Sequence, residues 1–373
     1  MWGDIAIAFL LAFITAYVIT PYTIRFAKKI GALDMPKKRK MHTHPMPRLG
    51  GLAVIAGFIV STIYLITVMS IEKTITLSAP DNYKIKLLGF FAGIVVLGIF
   101  CFFDDWKGIN PFIKLLGQII AAVIVTLSGI RIDRIVISHL NTIISNETLS
   151  IIITIIWIVG ITNAINLIDG LDGLSSGISL ISCLSLIIIF TLNSSPIISI
   201  ILITSLSGSL VGFLPFNFNP AKTFIGDTGS NFLGFALSII SILGIAKTYT
   251  AIVLIAPLIV FALPLFDTVL AIIRRIIKTR SLKGVFRADR EHLHHKLMKR
   301  GYTQKQAVFM LYGVSATFGM FAIIFLESGL WKAVSFALMV IAIVAIGFKD
   351  ILKLRNEDNK WKKFYSFLAQ VVI

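Results

Sequence analysis

Cysteine and charge are both scarce in this chain. Two cysteines occur in 373 residues, and both, Cys101 and Cys183, lie inside apolar runs. That argues against a disulfide framework or a zinc site and makes them small core residues. Charged residues are 14% of the chain, against ~25% in an ordinary soluble domain. Acidic groups are the scarcer kind, 18 Asp and Glu against 35 Lys and Arg. A soluble fold is excluded on these grounds, and no stretch is polar enough to make a separate soluble domain. Nor does any basic region precede the first apolar run, Ile5–Ile24; Arg25, Lys28 and Lys29 follow it. That is the reverse of a cleavable signal peptide, so the run reads as a retained span with the N-terminus outside.

What is present is apolar. Hydrophobic residues make up 57% and the mean hydropathy is +0.91. The expected fold class is all-α, a polytopic transmembrane helical bundle forming one domain over residues 1–373. At ~20 apolar residues per span, eleven helices are expected, at 5–24, 49–69, 85–103, 111–129, 150–165, 174–193, 196–214, 231–246, 250–273, 306–326 and 330–348. Orientation follows from basic residues. With the N-terminus outside, 28 of the 35 Lys and Arg fall on inside segments, which puts the C-terminus, with a tail at 349–373, in the cytoplasm. The net charge of +17 is then a property of inner loops that meet anionic lipid and phosphate, and no nucleic-acid partner is expected. The segment Trp361–Val372 is amphipathic, either a surface-lying helix or a disordered tail.

Carboxylates cluster at the inner ends of these spans. Asn163-Ala-Ile-Asn166-Leu-Ile-Asp169-Gly170-Leu171-Asp172-Gly173-Leu174 separates two long apolar runs. Its polar groups must emerge at a membrane surface or line a wet cavity, and its Asp-Gly steps suit tight backbone that a phosphate or sugar can approach. It reads either as a binding element or as a plain hydrophilic loop. Asp104-Asp105 ends the third span. Adjacent carboxylates are costly unless solvated or neutralised by a cation, so they mark a Mg²⁺ and phosphate site or a solvated helix end. Asn217 to Ser230 carries Phe224-Ile-Gly226-Asp227-Thr228-Gly229-Ser230, an anion-binding helix start with a metal-ligand candidate or an ordinary N-cap. Arg287 to Lys296, with Arg290, His292, His294 and His295, suits pyrophosphate better than a transition metal. In the first loop, Lys37–Arg39 read as a topogenic patch, whereas Arg48 before Gly50-Gly51 is a functional candidate. Gly89, Gly93 and Gly98 are expected to serve close helix packing. Asn146-Glu147-Thr148 matches a glycosylation sequon, a pattern short enough to arise by chance.

Taken together, Pro47-Arg48-Leu49-Gly50-Gly51, Asp104-Asp105, Asn163–Leu174, Phe224–Ser230 and His292-Leu-His-His295 resemble, in order, the motifs of the polyprenyl-phosphate N-acetylhexosamine-1-phosphate transferases. The resemblance spans residues 30–300, and eleven spans with a His-Leu-His-His loop resemble the N-acetylglucosamine branch. It implies that undecaprenyl phosphate attacks the β-phosphorus of a UDP-sugar, directly or after a carboxylate has formed a phospho-enzyme, and releases UMP. UDP-N-acetylglucosamine is the expected donor, with another UDP-N-acetyl sugar or muramoyl-pentapeptide as the alternative. Mg²⁺ is the implied cofactor, with Mn²⁺ as a substitute. Asp227, with Asp104 or Asp105, would hold the metal, and Asp104, Asp105, Asp169 and Asp172 are the catalytic candidates. The substrate-binding candidates are Arg48, Asn166, Gly170, Leu171, Asp172, Asn217, Phe224, Arg290, His292, His294 and His295. In that set Phe224 would stack on uracil and the last four would hold pyrophosphate or amino sugar. The implied partners are the two substrates and membrane lipids, with a homodimer as a common arrangement in such enzymes. The peptidoglycan branch has a lysine where this chain has His44, so that lysine's role is not transferred. The rival from another class is a secondary transporter or flippase for a phosphorylated lipid or nucleotide, for which the paired repeats and midplane charges are lacking.

Overall fold

In the computed structural model, the residues described are 2–36, 42, 44–73, 75, 82–132, 135–137, 142–144, 146–245, 251–279 and 292–354. Helices dominate: α1 (Trp2–Ile30), α2 (Gly51–Ile71), α3 (Tyr83–Lys107), α4 (Pro111–Leu127), α5 (Glu147–Ile168), α6 (Leu174–Leu192), α7 (Ile197–Asn217), α8 (Gly226–Ile245), α9 (Ala251–Val260), α10 (Ala262–Thr279), α11 (Leu293–Lys299), α12 (Gln304–Ser328) and α13 (Leu330–Leu354). Seven of them, α1, α2, α3, α5, α6, α7 and α12, are long and apolar enough to cross a membrane. The expected spans at 111–129 and 330–348 appear as shorter apolar helices, Pro111–Leu127 and Leu330–Ala342. The protein is a helical membrane protein.

One expectation is corrected. The single span at 250–273 is two helices, α9 and α10, meeting at Phe261. Pro264 has no N–H to give a continuous helix, but it is well placed in the first turn of a new one. The helical class stands, with two short strand pairs in the loops. Antiparallel pairs Leu33↔Pro47 and Asp34↔Met46 join β1 (Leu33–Asp34) to β2 (Met46–Pro47), and β3 (Ile135–Ile137) pairs with β4 (Thr142–Ile144). Each pair closes a loop between helices, where extended backbone finds its hydrogen bonds across the loop.

The interior is built on α7 and α8. In α7, 83% of the apolar window is buried, against 22% in α1. Packing is close because small residues face each other: Ala8, Ala12 and Ala16 of α1 are fully buried, and a Cβ on Gly208 or Gly212 of α7 would strike the α1 carbonyls of Phe9 or Phe13. Small faces let helices approach where the surrounding lipid offers no hydrophobic drive. On the outer side of α1, Leu10, Ile14, Val18 and Tyr22, four residues apart, are each about half exposed, a stripe suited to acyl chains. The expected packing glycines divide. Gly89 lies against Ser128 and Gly93 against Phe235, whereas nothing lies within 4 Å of a Cβ on Gly98. Cys101 and Cys183 are buried and free. Asn146 caps α5, accepting from Leu149 N at 3.2 Å.

Odd-numbered helices through α7 end, and even-numbered ones through α8 begin, at the same end of the bundle. The loops carrying Arg48, Asp104-Asp105, Asp169–Asp172 and Asp227 therefore meet there.

Candidate functional site

The start of α8 organises the site. A helix N-terminus leaves N–H groups unsatisfied, and here the partner comes from another helix. Asp105, at the end of α3 and 3% exposed, accepts from Asp227 N at 2.9 Å, Thr228 N at 2.8 Å and Thr228 Oγ1 at 2.7 Å. Arg48 Nε lies 3.4 Å from the same carboxylate. Gly226, with φ +72°, makes the approach feasible, since a Cβ there would meet the Arg48 carbonyl and both Asp105 oxygens. Asp105 thus holds α8 in place, its oxygens already engaged.

Asp104, one residue earlier, points elsewhere. Its Oδ2 is 3.1 Å from Lys114 Nζ, on α4. Lys114 also pairs closely with Asp227 and reaches Asn166 Oδ1 at 3.3 Å. Asp227 Oδ2 takes Arg48 at 2.8 Å, and its Oδ1 takes Asn166 Nδ2 at 2.9 Å. Two carboxylates and two cations from four chain segments therefore share one charge centre. Beneath it, Gln118 donates to Asn231 Oδ1 at 2.7 Å and accepts from Asn163 at 2.7 Å. Asn231 in turn donates to the Asp227 carbonyl at 2.7 Å.

Above the centre opens a cavity of about 620 Å³, in the range that takes small ligands. Arg48, Asn166, Asp169, Gly170, Leu171, Asp172, Asn217, Phe224, Asp227 and His295 line it, ten of the residues expected from sequence. Asp169 ends α5 and accepts from Ser175 Oγ at 2.7 Å; burial, with Asp227 and Asp105 nearby, pushes its carboxyl up to about 7 against that hydrogen bond. Asp172 Oδ2 accepts from Asn219 at 2.8 Å and Ala221 N at 3.2 Å. Asn217 is buried and braces the wall, accepting from Ser176 and donating to the Thr223 carbonyl. Phe224 has its ring edge-on to His42, centroids 5.4 Å apart, with its backbone pinned to Pro47 and Gly50.

Asp104, Asp105, His292 and His294 are behind the lining. His292 is 4% exposed and held by Asp267 at 2.8 Å, so it anchors the loop that carries its neighbours. His294 is buried against Gly170, and among the described residues neither ring nitrogen has a hydrogen-bond partner. Burial and the neighbouring His295 and His292 depress its pKa to about 3, so the ring is neutral. Arg290, Lys37–Arg39 and Trp361–Val372 lie outside the described residues. Lys114 and Gln118 were not expected as site residues. Their signal was a lone cation and a lone amide in an otherwise apolar helix, which are functional by default among spans.

Fold and site together define a membrane-embedded enzyme built to handle phosphate. The chain belongs to glycosyl transferase family 4, whose model matches residues 87–245. It is 37% identical over 372 residues to a probable undecaprenyl-phosphate N-acetylglucosaminyl 1-phosphate transferase of Bacillus subtilis, covering 99% of this chain and 97% of the relative. It is 32% identical to the decaprenyl-phosphate N-acetylglucosaminephosphotransferase of Mycobacterium tuberculosis, covering 92% of this chain and 88% of the relative. A phospho-N-acetylmuramoyl-pentapeptide-transferase of a Geobacillus strain is 27% identical, covering 85% of this chain and 96% of the relative.

Proposed function

We propose that the protein transfers N-acetylglucosamine-1-phosphate from UDP-N-acetylglucosamine to undecaprenyl phosphate. The products are undecaprenyl-pyrophosphoryl-N-acetylglucosamine and UMP, and the step is the first membrane step of a cell-envelope glycan such as teichoic acid or O-antigen. The observation that carries this is the charge centre of Arg48, Asp104, Lys114 and Asp227 at the base of a nucleotide-sized cavity, in a chain similar over its length to enzymes so named.

The wall of Gly170, Leu171, Asp172 and Phe224 suits the nucleoside, and the charge centre suits the pyrophosphate. A lipid phosphate oxygen forms a bond to the β-phosphorus, and the bond to the bridging oxygen breaks with its electron pair leaving on UMP. The lipid phosphate, with a second pKa of ~6, is largely ionised at neutral pH, so no strong general base is needed. Arg48 and Lys114 face the charge that gathers on the transferred group, and Asn166 holds Asp227 and Lys114 in register. Positioning and electrostatics supply most of the acceleration.

Mg²⁺ fits this donor set. Among the described residues no three of His, Cys, Asp and Glu form a ready-made metal cluster, but Mg²⁺ asks for only one or two carboxylates and takes other oxygens from phosphate and water. Asp104 and Asp227 already share a cation, Lys114, and would hold the metal, which supplies charge neutralisation at the phosphates. Asp105, with its oxygens committed to α8, is the weaker ligand candidate. Eleven spans, an outside N-terminus and a cytoplasmic site in the bacterial inner membrane belong to the same reading, supported by 28 of 35 basic residues lying on inside segments. The test is purified protein in detergent with undecaprenyl phosphate, Mg²⁺ and a panel of UDP-sugars. UMP release with UDP-N-acetylglucosamine is expected. Release only with another UDP-sugar would change the substrate, and saturable transport without UMP would favour the transporter.

A further inference from the structure

We propose that Gln304, the first residue of α12, reads the base of the bound nucleotide and makes the site discriminate uracil from cytosine. The inference rests on the nucleotide-sugar reading above and deepens it. Gln304 lies outside residues 87–245 and outside every motif named from the sequence, yet it lines the cavity beside Asp172 and Asn219.

Hydrogen-bond chemistry sets the orientation of these groups. A carboxylate only accepts, so Asn219 turns its Nδ2 toward Asp172 Oδ2, at 2.8 Å. The other hydrogen on that nitrogen then faces Gln304, whose Oε1 accepts it at 3.0 Å. Gln304 must therefore present its oxygen to Asn219 and its NH₂ away from it. That NH₂ has no partner among the described residues, and neither has Asp172 Oδ1, because both bonds to Asp172 end on Oδ2. Both residues line the cavity, so its wall carries an acceptor and a donor whose residues are tied together through Asn219.

Uracil presents an N3–H donor next to the O4 acceptor. Cytosine presents a bare N3 and an N4 amino group, the opposite pattern. Against this wall uracil gives N3–H to Asp172 and takes an N–H from Gln304. Cytosine would set acceptor against acceptor and donor against donor. Gln304 cannot turn its amide over to serve cytosine without bringing its NH₂ against that of Asn219. Rejection by unpaired polar groups is a stronger filter than shape, and a residue 132 positions after Asp172 supplies half of it.

The test measures UMP and CMP affinity for the full-length protein in detergent, with Gln304→Ala and Gln304→Glu beside the wild type. Wild type is expected to prefer UMP. Gln304→Ala should weaken UMP by about three- to tenfold, the effect of one neutral hydrogen bond, and leave CMP nearly unchanged, so the preference collapses. Gln304→Glu should weaken UMP further, since it sets a carboxylate against O4. In turnover the loss should fall on KM for UDP-N-acetylglucosamine more than on kcat. An unchanged UMP-to-CMP ratio in both variants, or an equal loss for both nucleotides, overturns the role of Gln304 while the transferase reading stands. A folded wild type that binds neither nucleotide and releases no UMP overturns both.

Discussion

Neighbouring aspartates at the end of α3 do different work. Asp104 pairs with Lys114 in the charge centre behind the cavity lining, whereas Asp105 is spent on the backbone of α8. Asp104→Asn and Asp227→Asn should abolish turnover, by at least about a hundredfold, and leave the protein folded and membrane-inserted. Asp105→Asn should also lower stability by about 1–3 kcal/mol, because an amide turned either way sets an NH₂ against a donor or leaves one unpaired. Thermal unfolding in detergent separates them: equal melting temperatures for Asp105→Asn and Asp227→Asn would contradict the capping role. Asp169 makes a prediction in pH. Its folded pKa of about 7 lies above the ordinary ~3.9, so the folded protein holds a proton that the unfolded chain releases. Its contribution is complete below ~3.9 and is lost as pH rises through about 7. Asp169→Asn should flatten the fall in melting temperature across that window; an unaltered pH profile would contradict the shift. Arg48 and Asp227 were legible because each stands beside glycines in a short motif. The cap on α8 was not, since 122 positions separate Asp105 from Asp227.

Among the elements, the α1–α7 contact sets how tightly the bundle closes. Gly212 admits no side chain without displacing α1 backbone, while Gly98 on α3 faces open space. Gly212→Leu should therefore cost at least about 1–3 kcal/mol through overpacking, and Gly98→Leu less than about 0.5 kcal/mol. Melting curves of the two variants check this, and similar losses in both would mean that the small-residue contact does not govern stability. From sequence the three glycines of α3 looked alike. Spacing shows that a residue is small and on a helix, but which face meets a neighbour depends on the partner helix. The break between α9 and α10 was legible in principle from Pro264, yet the continuous apolar run outweighed it.

At the scale of the whole molecule, Lys114 and Arg48 already neutralise Asp104 and Asp227 in the unloaded protein. Chelating divalent cations should then stop UMP release without lowering the melting temperature of the substrate-free protein, and Mg²⁺ should restore turnover. A fall in melting temperature on chelation would mean that the metal is part of the resting fold. The apolar composition, the helical class and the motifs whose loops meet at one end of the bundle were all legible in the sequence itself. Hydrophobic run length and the distribution of basic loops are local properties that any membrane-spanning chain must satisfy. Tertiary structure alone decided which of the two neighbouring aspartates caps α8 and which pairs with Lys114, that Lys114 belongs with Asp227, that His292 pairs with Asp267, and that Gln304 stands beside Asp172. Those are contacts between segments far apart in the chain, and they depend on the rotation and spacing of packed helices, which no single helix encodes.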